Sequence, residues 1–229
     1  SNWLRRPLTA SQIHYAALDV AYLPAIYDLL TTKLQALGRY NWWLDDCQAV
    51  TDRFCDYLPA GQYYTKIKSA WKLAPSELAL LQLLASWREQ EARLRDVPRG
   101  RILKDNSCTG IAARQPQTIQ ELSLIEDLSP KTLRKEGDAV LAMVKQAQAI
   151  APGDWPAALP RPLPLQAGSL LKNLKALAVQ RATELAMPQE MLVRKKDYEV
   201  LLRDRVLPAT LEGWRKDIIG DELLVMVLA

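Results

Sequence analysis

Five prolines fall within thirteen residues, Pro152, Pro156, Pro160, Pro162 and Pro164, and they constrain this 229-residue chain more than any other feature. Proline fixes φ and removes an amide donor, so neither a helix interior nor a central strand passes through such a stretch. It reads as an extended, semi-rigid spacer between two folded units. The sequence on either side echoes itself. Pro98 followed by Ile102-Leu103-Lys104 recurs as Pro188 followed by Leu192-Val193-Arg194, at an offset of 90 residues. Pro116-Gln117-Thr118-Ile119 is matched by Pro208-Ala209-Thr210-Leu211, and Gly137-Asp138-Ala139-Val140-Leu141 by Gly220-Asp221-Glu222-Leu223-Leu224. Three matches in the same order imply a duplicated domain. Two copies are too few for a solenoid.

The units read as helical. Leu78, Leu81, Leu84 and Ala85, then Leu94, recur at the three-to-four spacing of one helix face. Pro75-Ser76-Glu77 supplies the start signal of that helix. From Thr9 to about Gly38 the pattern predicts one helix or two, with Pro24 as the kink or break and Gly38 as the stop. Strand-like alternation is scarce, and nine glycines are few for a β protein of this length. A looser stretch, Asp56 to Trp71, contains Pro59-Ala60-Gly61 and reads as a connection. Trp87 and Trp214 sit beside apolar helical positions and read as core anchors, while Trp42-Trp43 fits no single role.

A hint of chemistry lies in His14-Tyr15-Ala16-Ala17-Leu18-Asp19-Val20. Tyr15 and Asp19 are four apart and share a helix face. If buried among Ala, Leu and Val, the acid needs a partner, a proton or a metal. Two readings fit. Asp19 pairs with a neighbouring arginine while Tyr15 packs, or Asp19 ligates a divalent ion while Tyr15 orients an attacking water. Hard cations such as Mg²⁺ favour carboxylate oxygens, and two of them can clamp a phosphodiester. One carboxylate does not hold two ions, so the second reading demands further acids. The Asp-x-Glu at Asp197-Tyr198-Glu199 follows Arg194-Lys195-Lys196 and reads as a solvated helix start. His14, the only histidine, excludes a histidine metal cluster and is expected at the surface.

Apolar residues make up 49% and charged residues 24%, an ordinary globular balance. No run is long enough to span a bilayer, and Ser1–Pro7 lacks the apolar core of a signal peptide. Cys47, Cys55 and Cys108 show no metal-ligand spacing, and reduced thiols in a cytoplasmic protein are expected. The net charge is +4, unevenly placed. Arg93, Arg95, Arg99, Arg101 and Lys104 face one acid, Asp96, in their window. A second cluster is Arg194-Lys195-Lys196, with Arg203 and Arg205, partly offset by Asp197, Glu199 and Asp204. Such patches can neutralise phosphates, or simply solvate a helix end.

Trp87-Arg88, Ala92, Val97-Pro98, Ile102-Leu103-Lys104-Asp105, Ile111-Ala112, Pro116, Leu122, Leu128 and Gly137 resemble the helicase-and-RNase-D C-terminal (HRDC) domain. That family is a compact helical bundle that helps hold nucleic acid. Leu192-Val193-Arg194-Lys195-Lys196-Asp197 and Gly213-Trp214-Arg215 are similar to the divergent second copy of that bundle. Upstream, Trp3-Leu4-x2-Pro7-Leu8 and Tyr15-Ala16-Ala17-Leu18-Asp19-Val20-x-Tyr22-Leu23 resemble the last motif of the DEDD exonucleases of the tyrosine subtype. The three-part order resembles the bacterial ribonuclease D family across essentially the whole chain.

The resemblance implies a mainly α fold, the terminal helices of an exonuclease domain followed by two small HRDC-like bundles. It implies boundaries at 1–56 (end of the exonuclease domain), 57–71 (linker), 72–151 (first bundle), 152–164 (proline-rich linker) and 165–229 (second bundle). It further implies a metal-dependent 3′–5′ exoribonuclease that trims the 3′ ends of tRNA precursors, with Mg²⁺ or Mn²⁺ as cofactor. Tyr15 and Asp19 would be catalytic, with Asp19 a metal ligand; Arg93, Arg95, Arg99, Arg101, Lys104, Arg194, Lys195 and Lys196 would contact RNA. In that family four acids hold the metals and three precede the tyrosine motif. This chain is therefore expected to bind no ion tightly and to be inactive alone. The competing reading is a non-catalytic adaptor that binds nucleic acid or protein.

Overall fold

The computed structural model describes residues 2–55, 58–161 and 168–229, and among them every regular element is helical. Pro162 and Pro164 of the spacer, and Asp56 and Tyr57 at the first expected boundary, lie outside the described residues. The chain divides into two compact units, Tyr57–Ala167 and a discontinuous one made of Ser1–Asp56 with Gly168–Ala229.

In the continuous unit, helices α4 (Pro75–Leu94), α5 (Asp105–Arg114), α6 (Ile119–Ser123) and α7 (Pro130–Gln148) enclose one core. Pro75 opens α4 at its first position, where its missing amide costs nothing, and the Glu77 carboxylate accepts from the Ala74 amide at 2.7 Å. Leu78, Leu81 and Leu84 are fully buried, as is Leu80. Each such side chain contributes about 2 kcal/mol relative to exposure. Leu94 does not continue the stripe; it is 80% exposed, because Ala92 takes the inward position in the last turn. Trp87 packs against the core as expected.

The stretch read as a linker, 57–71, is a correction. Short 3₁₀ segments at Ala60–Lys66 and Ala70–Lys72 lie along this unit, and Ile67 and Ala70 are buried in its core. They bracket the turn between the two segments, where the Ala70 amide donates to the Ile67 carbonyl at 3.1 Å. Gln82 Nε2 donates to the Gly61 carbonyl at 2.9 Å and fastens the segment to α4. The described part of the proline-rich spacer is also anchored. A 3₁₀ turn at Pro152–Asp154 is followed by Trp155, whose indole donates to the Ile150 carbonyl at 3.1 Å, and Leu159 packs on the core.

In the discontinuous unit, α1 (Ala10–Ala21) and α2 (Leu23–Ala36) are separate helices, with Pro24 in the first turn of the second. Thr9 caps α1 through the Gln12 amide, and Gln12 returns the bond to the Thr9 amide. Gly38, at φ +67°, stops α2, with the Gly38 and Arg39 amides donating to the Gln35 and Leu34 carbonyls. Neither helix buries a residue. Helix α3 (Tyr40–Cys55) joins the later part of the unit, α8 (Gly168–Glu184), α9 (Gln189–Leu192), α10 (Lys195–Asp204) and α11 (Asp221–Leu228), whose core is built on Leu174, Leu192, Leu201, Leu211, Ile219 and Leu223.

The duplication inferred from sequence is visible in the backbone. Helices α4 and α8 both end in a left-handed residue, Asp96 (φ 49°) and Ala186 (φ 48°), 90 positions apart. Each is followed by the same return bond, Val97 to the Ala92 carbonyl at 2.9 Å and Met187 to the Ala182 carbonyl at 3.0 Å. Helices α5 and α10 then end in left-handed Gln115 and Arg205, again 90 apart. The two glycines of the sequence echo, 83 positions apart, are both places of close approach, one to a side chain and the other to backbone. A Cβ on Gly137 would lie 2.9 Å from Ile119 Cδ1, and one on Gly220 would lie 3.1 Å from the Leu211 carbonyl. Ile119 and Leu211 are themselves partners in the sequence echo.

Candidate functional site

On α1, Tyr15 and Asp19 lie one helical turn apart, and both are exposed. The premise that Asp19 is buried and needs compensation is therefore not met: its apolar neighbours Leu18 and Val20 are exposed too. Tyr15 is flanked by Trp3, ring centroids 6.0 Å apart, at the edge of a cleft of ≈ 570 Å³ shared with Arg5, Thr9 and Gln12. Asp19 does not line that cleft. Among the described residues no group of three or more His, Cys, Asp or Glu is gathered to hold a metal. Asp19 by itself does not make a two-ion site, and the described residues do not fit such ions unaided. His14 is at the surface.

The Asp-x-Glu reading is corrected. Asp197 begins α10 as expected, but it is buried, not solvated. Its carboxylate accepts from the Arg194 amide at 2.6 Å and from the Thr210 hydroxyl. Tyr198 is buried beside it and holds Gln189 at 3.0 Å. Asp197 thus holds the helix start, with one hydrogen bond on each carboxylate oxygen.

The basic window has a different character from its formal charge. Arg93 and Arg99 both bind the buried Glu89, at 2.8 and 2.7 Å. Tyr63 accepts a further bond from Arg93, and its ring lies under the Arg99 guanidinium at 4.7 Å. Arg95 holds Glu91 and Glu136, each at 2.5 Å. That pairing keeps the Glu136 carboxyl below its usual range, with the Arg95 hydrogen bond the main cause and burial opposing it. Lys104 binds Asp127 at 2.8 Å. Arg101 is exposed and makes no ion pair among the described residues. Four of the five window cations are therefore matched by acids, and all four of those acids (Glu89, Glu91, Asp127 and Glu136) lie outside the window. The window and the start of α7 border one cleft of ≈ 670 Å³ that also carries Lys131 and Lys135, which the sequence reading did not single out. Their only signal was the run Lys131, Arg134, Lys135 in the first two turns after Pro130.

Buried Arg88 braces this unit from within, donating to the Leu103 carbonyl at 3.0 Å and to Asp105 at 2.7 Å. Cys108, beneath it, is buried, and desolvation pushes its thiol up to about 11, so it is inert.

In the discontinuous unit Arg194, Lys195 and Lys196 are exposed, with only a loose Lys195–Glu199 pair at 3.9 Å. Arg194 borders a cleft with Asp45, Asp46, Asp197 and Glu212, where acids outnumber cations. Trp214 is not a free stacking platform. It lies face to face with Trp42, centroids 4.4 Å apart at 3°, with the Arg215 guanidinium 4.1 Å from the Trp214 ring and that of Arg39 5.6 Å from Trp42. Arg215 grips Asp46 through both amino groups, at 2.5 and 2.8 Å, while its Nε donates to the Met191 carbonyl. Arg39 donates to the Leu185 carbonyl at 2.6 Å. These contacts fix α3 to the helices that follow residue 168.

The HRDC domain family matches residues 77–144, the span from α4 into α7. A ribonuclease D of Pseudomonas paraeruginosa is 37% identical over 98% of this chain and 61% of its own length. One of a Shewanella species is 32% identical over 97% of this chain and 58% of its own. The chain thus spans about three fifths of the curated relatives it matches. The crystal structure of Escherichia coli RNase D, described as an exoribonuclease involved in structured RNA processing, matches the whole chain with a TM-score of 0.87 at 28% identity, over 63% of that protein. A protein from Bifidobacterium adolescentis shares the fold at a TM-score of 0.61 and 18% identity.

Proposed function

The chain belongs to the ribonuclease D family, and from that premise we propose that it forms the RNA-holding part of a 3′–5′ exoribonuclease acting on structured RNA such as tRNA precursors. The observation that carries the reading is the placement of Tyr15 and Asp19 on one open turn of α1, both exposed, with the Trp3 ring beside Tyr15. In a protein of the relatives' full length, Asp19 supplies one carboxylate to a divalent-ion site, Mg²⁺ or Mn²⁺, and Tyr15 a hydroxyl next to it. Because the described residues gather no group of three or more metal-ligating side chains, these 229 residues alone are expected to bind RNA without turning it over. The cations of the two helical bundles serve affinity through phosphates and read no bases. The expected compartment is the cytoplasm; among the described residues no helix is long and apolar enough to cross a membrane.

The test is made in the full-length protein, with release of 3′ nucleotides from a tailed RNA hairpin as the readout. Asp19→Ala is expected to abolish release, and Tyr15→Phe to slow it while RNA affinity holds. Near-normal turnover by Asp19→Ala refutes the assignment. RNA binding with no turnover in the full-length protein supports the adaptor reading instead.

A further inference from the structure

The cleft between the Arg99–Arg101 turn and the start of α7 carries a larger cation excess than the other clefts described, two of which, beside Arg88 and beside Tyr15, have an excess of one. Five cations and two acids line it. The hollow beside Glu89 has two of each, and the one beside Asp46 has two cations against four acids. Both acids of the cleft are already taken: Glu136 is held by Arg95 and Asp127 by Lys104. Arg101 and Lys131 make no ion pair among the described residues, and Lys135 has only a 3.7 Å approach to the Glu136 that Arg95 occupies. The first turn of α7 carries no acid to use up its amide dipoles. Gly100 leaves the cleft floor open, since nothing lies within 4 Å of where its Cβ would be.

We infer that this cleft binds the phosphodiester backbone of RNA, with Arg101, Lys131 and Lys135 as the cations that contact phosphates. This deepens the RNA-holding role proposed above and rests on it. It also moves the contact surface away from Arg93, Arg95 and Arg99, whose charge is spent on Glu89, Glu91 and Glu136. No aromatic ring lines the cleft, so bases have nothing to stack on. Binding there follows RNA length and salt, and is indifferent to sequence.

The experiment uses the whole chain and a fluorescein-labelled RNA hairpin with a single-stranded 3′ tail, followed by anisotropy between 50 and 200 mM salt, concentrations on the order of those over which such contacts weaken. Arg101→Ala/Lys131→Ala/Lys135→Ala is compared with Lys33→Ala/Lys172→Ala/Lys175→Ala, which removes the same charge from exposed helix faces. The cleft variant is expected to bind at least about tenfold more weakly at low salt, its log–log salt slope flattened by about 2, at roughly 0.7 to 0.9 per lost phosphate contact. The control is expected to stay within about threefold. Equal thermal midpoints establish that both variants are folded. If the parent chain binds and the cleft variant matches it, the cleft assignment is overturned and the RNA-holding role stands. If the control weakens as much as the cleft variant, net charge alone explains binding and the assignment is likewise overturned. If the parent chain binds no RNA, the role itself falls, and the inference with it.

Discussion

Replacing Asp46 with alanine tests how firmly α3 is joined to the helices after residue 168. The carboxylate accepts both Arg215 amino groups, and the Trp214 indole at 3.3 Å. The Arg215 side chain is 9% exposed and that of Asp46 33%. Losing one member of a fully buried pair costs about 3–5 kcal/mol, because the survivor is left charged and unpaired. Here water reaches the Asp46 side, and Arg215 keeps the Met191 carbonyl, so about 2 kcal/mol is expected. The pH dependence gives a second readout. Burial pushes the Asp46 carboxyl up, but the hydrogen bond and charge of Arg215, then Trp214 and Arg194, outweigh it and hold the group below its usual value. A depressed carboxyl stabilises the fold above its unfolded pKa, about 3.9, and that contribution is lost as pH falls through the folded value. The gap between parent and Asp46→Ala should therefore be full at pH 7 and close as acid approaches the folded pKa. Urea unfolding of the chain, with near-ultraviolet circular dichroism reporting the Trp42–Trp214 stack, measures both effects. Asp45→Ala, one residue away and exposed, serves as the control and should change stability by less than about 0.5 kcal/mol. A difference below about 0.5 kcal/mol for Asp46→Ala at pH 7, with the dichroism of the stack intact, would refute the clamp.

Other substitutions probe the duplicated bundles. Ala186→Gly removes the cost of a left-handed alanine and should stabilise by about 0.5–1 kcal/mol, seen as a rise of a few degrees in thermal midpoint. Gly220→Ala meets the Leu211 carbonyl and Leu207, and should destabilise by about 1–3 kcal/mol in urea. Gly137→Ala meets only the movable end of Ile119, and an alanine favours the α7 interior, so its net effect should fall within about 1 kcal/mol of zero. Leu81→Ala, at a fully buried site on α4, should cost about 2–5 kcal/mol in the same measurement.

Much of the helical framework is local and was therefore legible in the sequence. Pro24 splits the first helical stretch, Gly38 ends it and Pro75 opens α4, each through the dihedral demand of one residue. The 90-residue echo was legible because it preserves turn geometry. What escaped was set by distant partners. Asp197 sits in a run of charged residues and reads as solvated, yet Thr210 closes over it from 13 positions away. The basic window is neutralised by Glu136 and Asp127, which follow Arg95 and Lys104 by 41 and 23 residues. The partner of Asp46 lies 169 residues on. Ile67 and Ala70 were hidden because Pro59-Ala60-Gly61 marks a turn and says nothing of the core that the following residues pack into. The candidate site was legible as residue types, Tyr15 with Asp19 and a cationic window, but not as surroundings. Exposure on α1 and acid pairing in the window both depend on which helices cover which faces.

The paired left-handed stops at Asp96 and Ala186 have a consequence for how such a molecule diversifies. Both loops are entered through the same left-handed stop and return bond, and then form a 3₁₀ turn at Arg99–Arg101 in one and a short α-helix at Gln189–Leu192 in the other. The stretch after Asp96 displays Arg99 and Arg101, while its twin after Ala186 displays Gln189 and Met191. The same bend thus presents different surface chemistry in each bundle, so transplanting one loop into the other's socket is expected to carry its charge along.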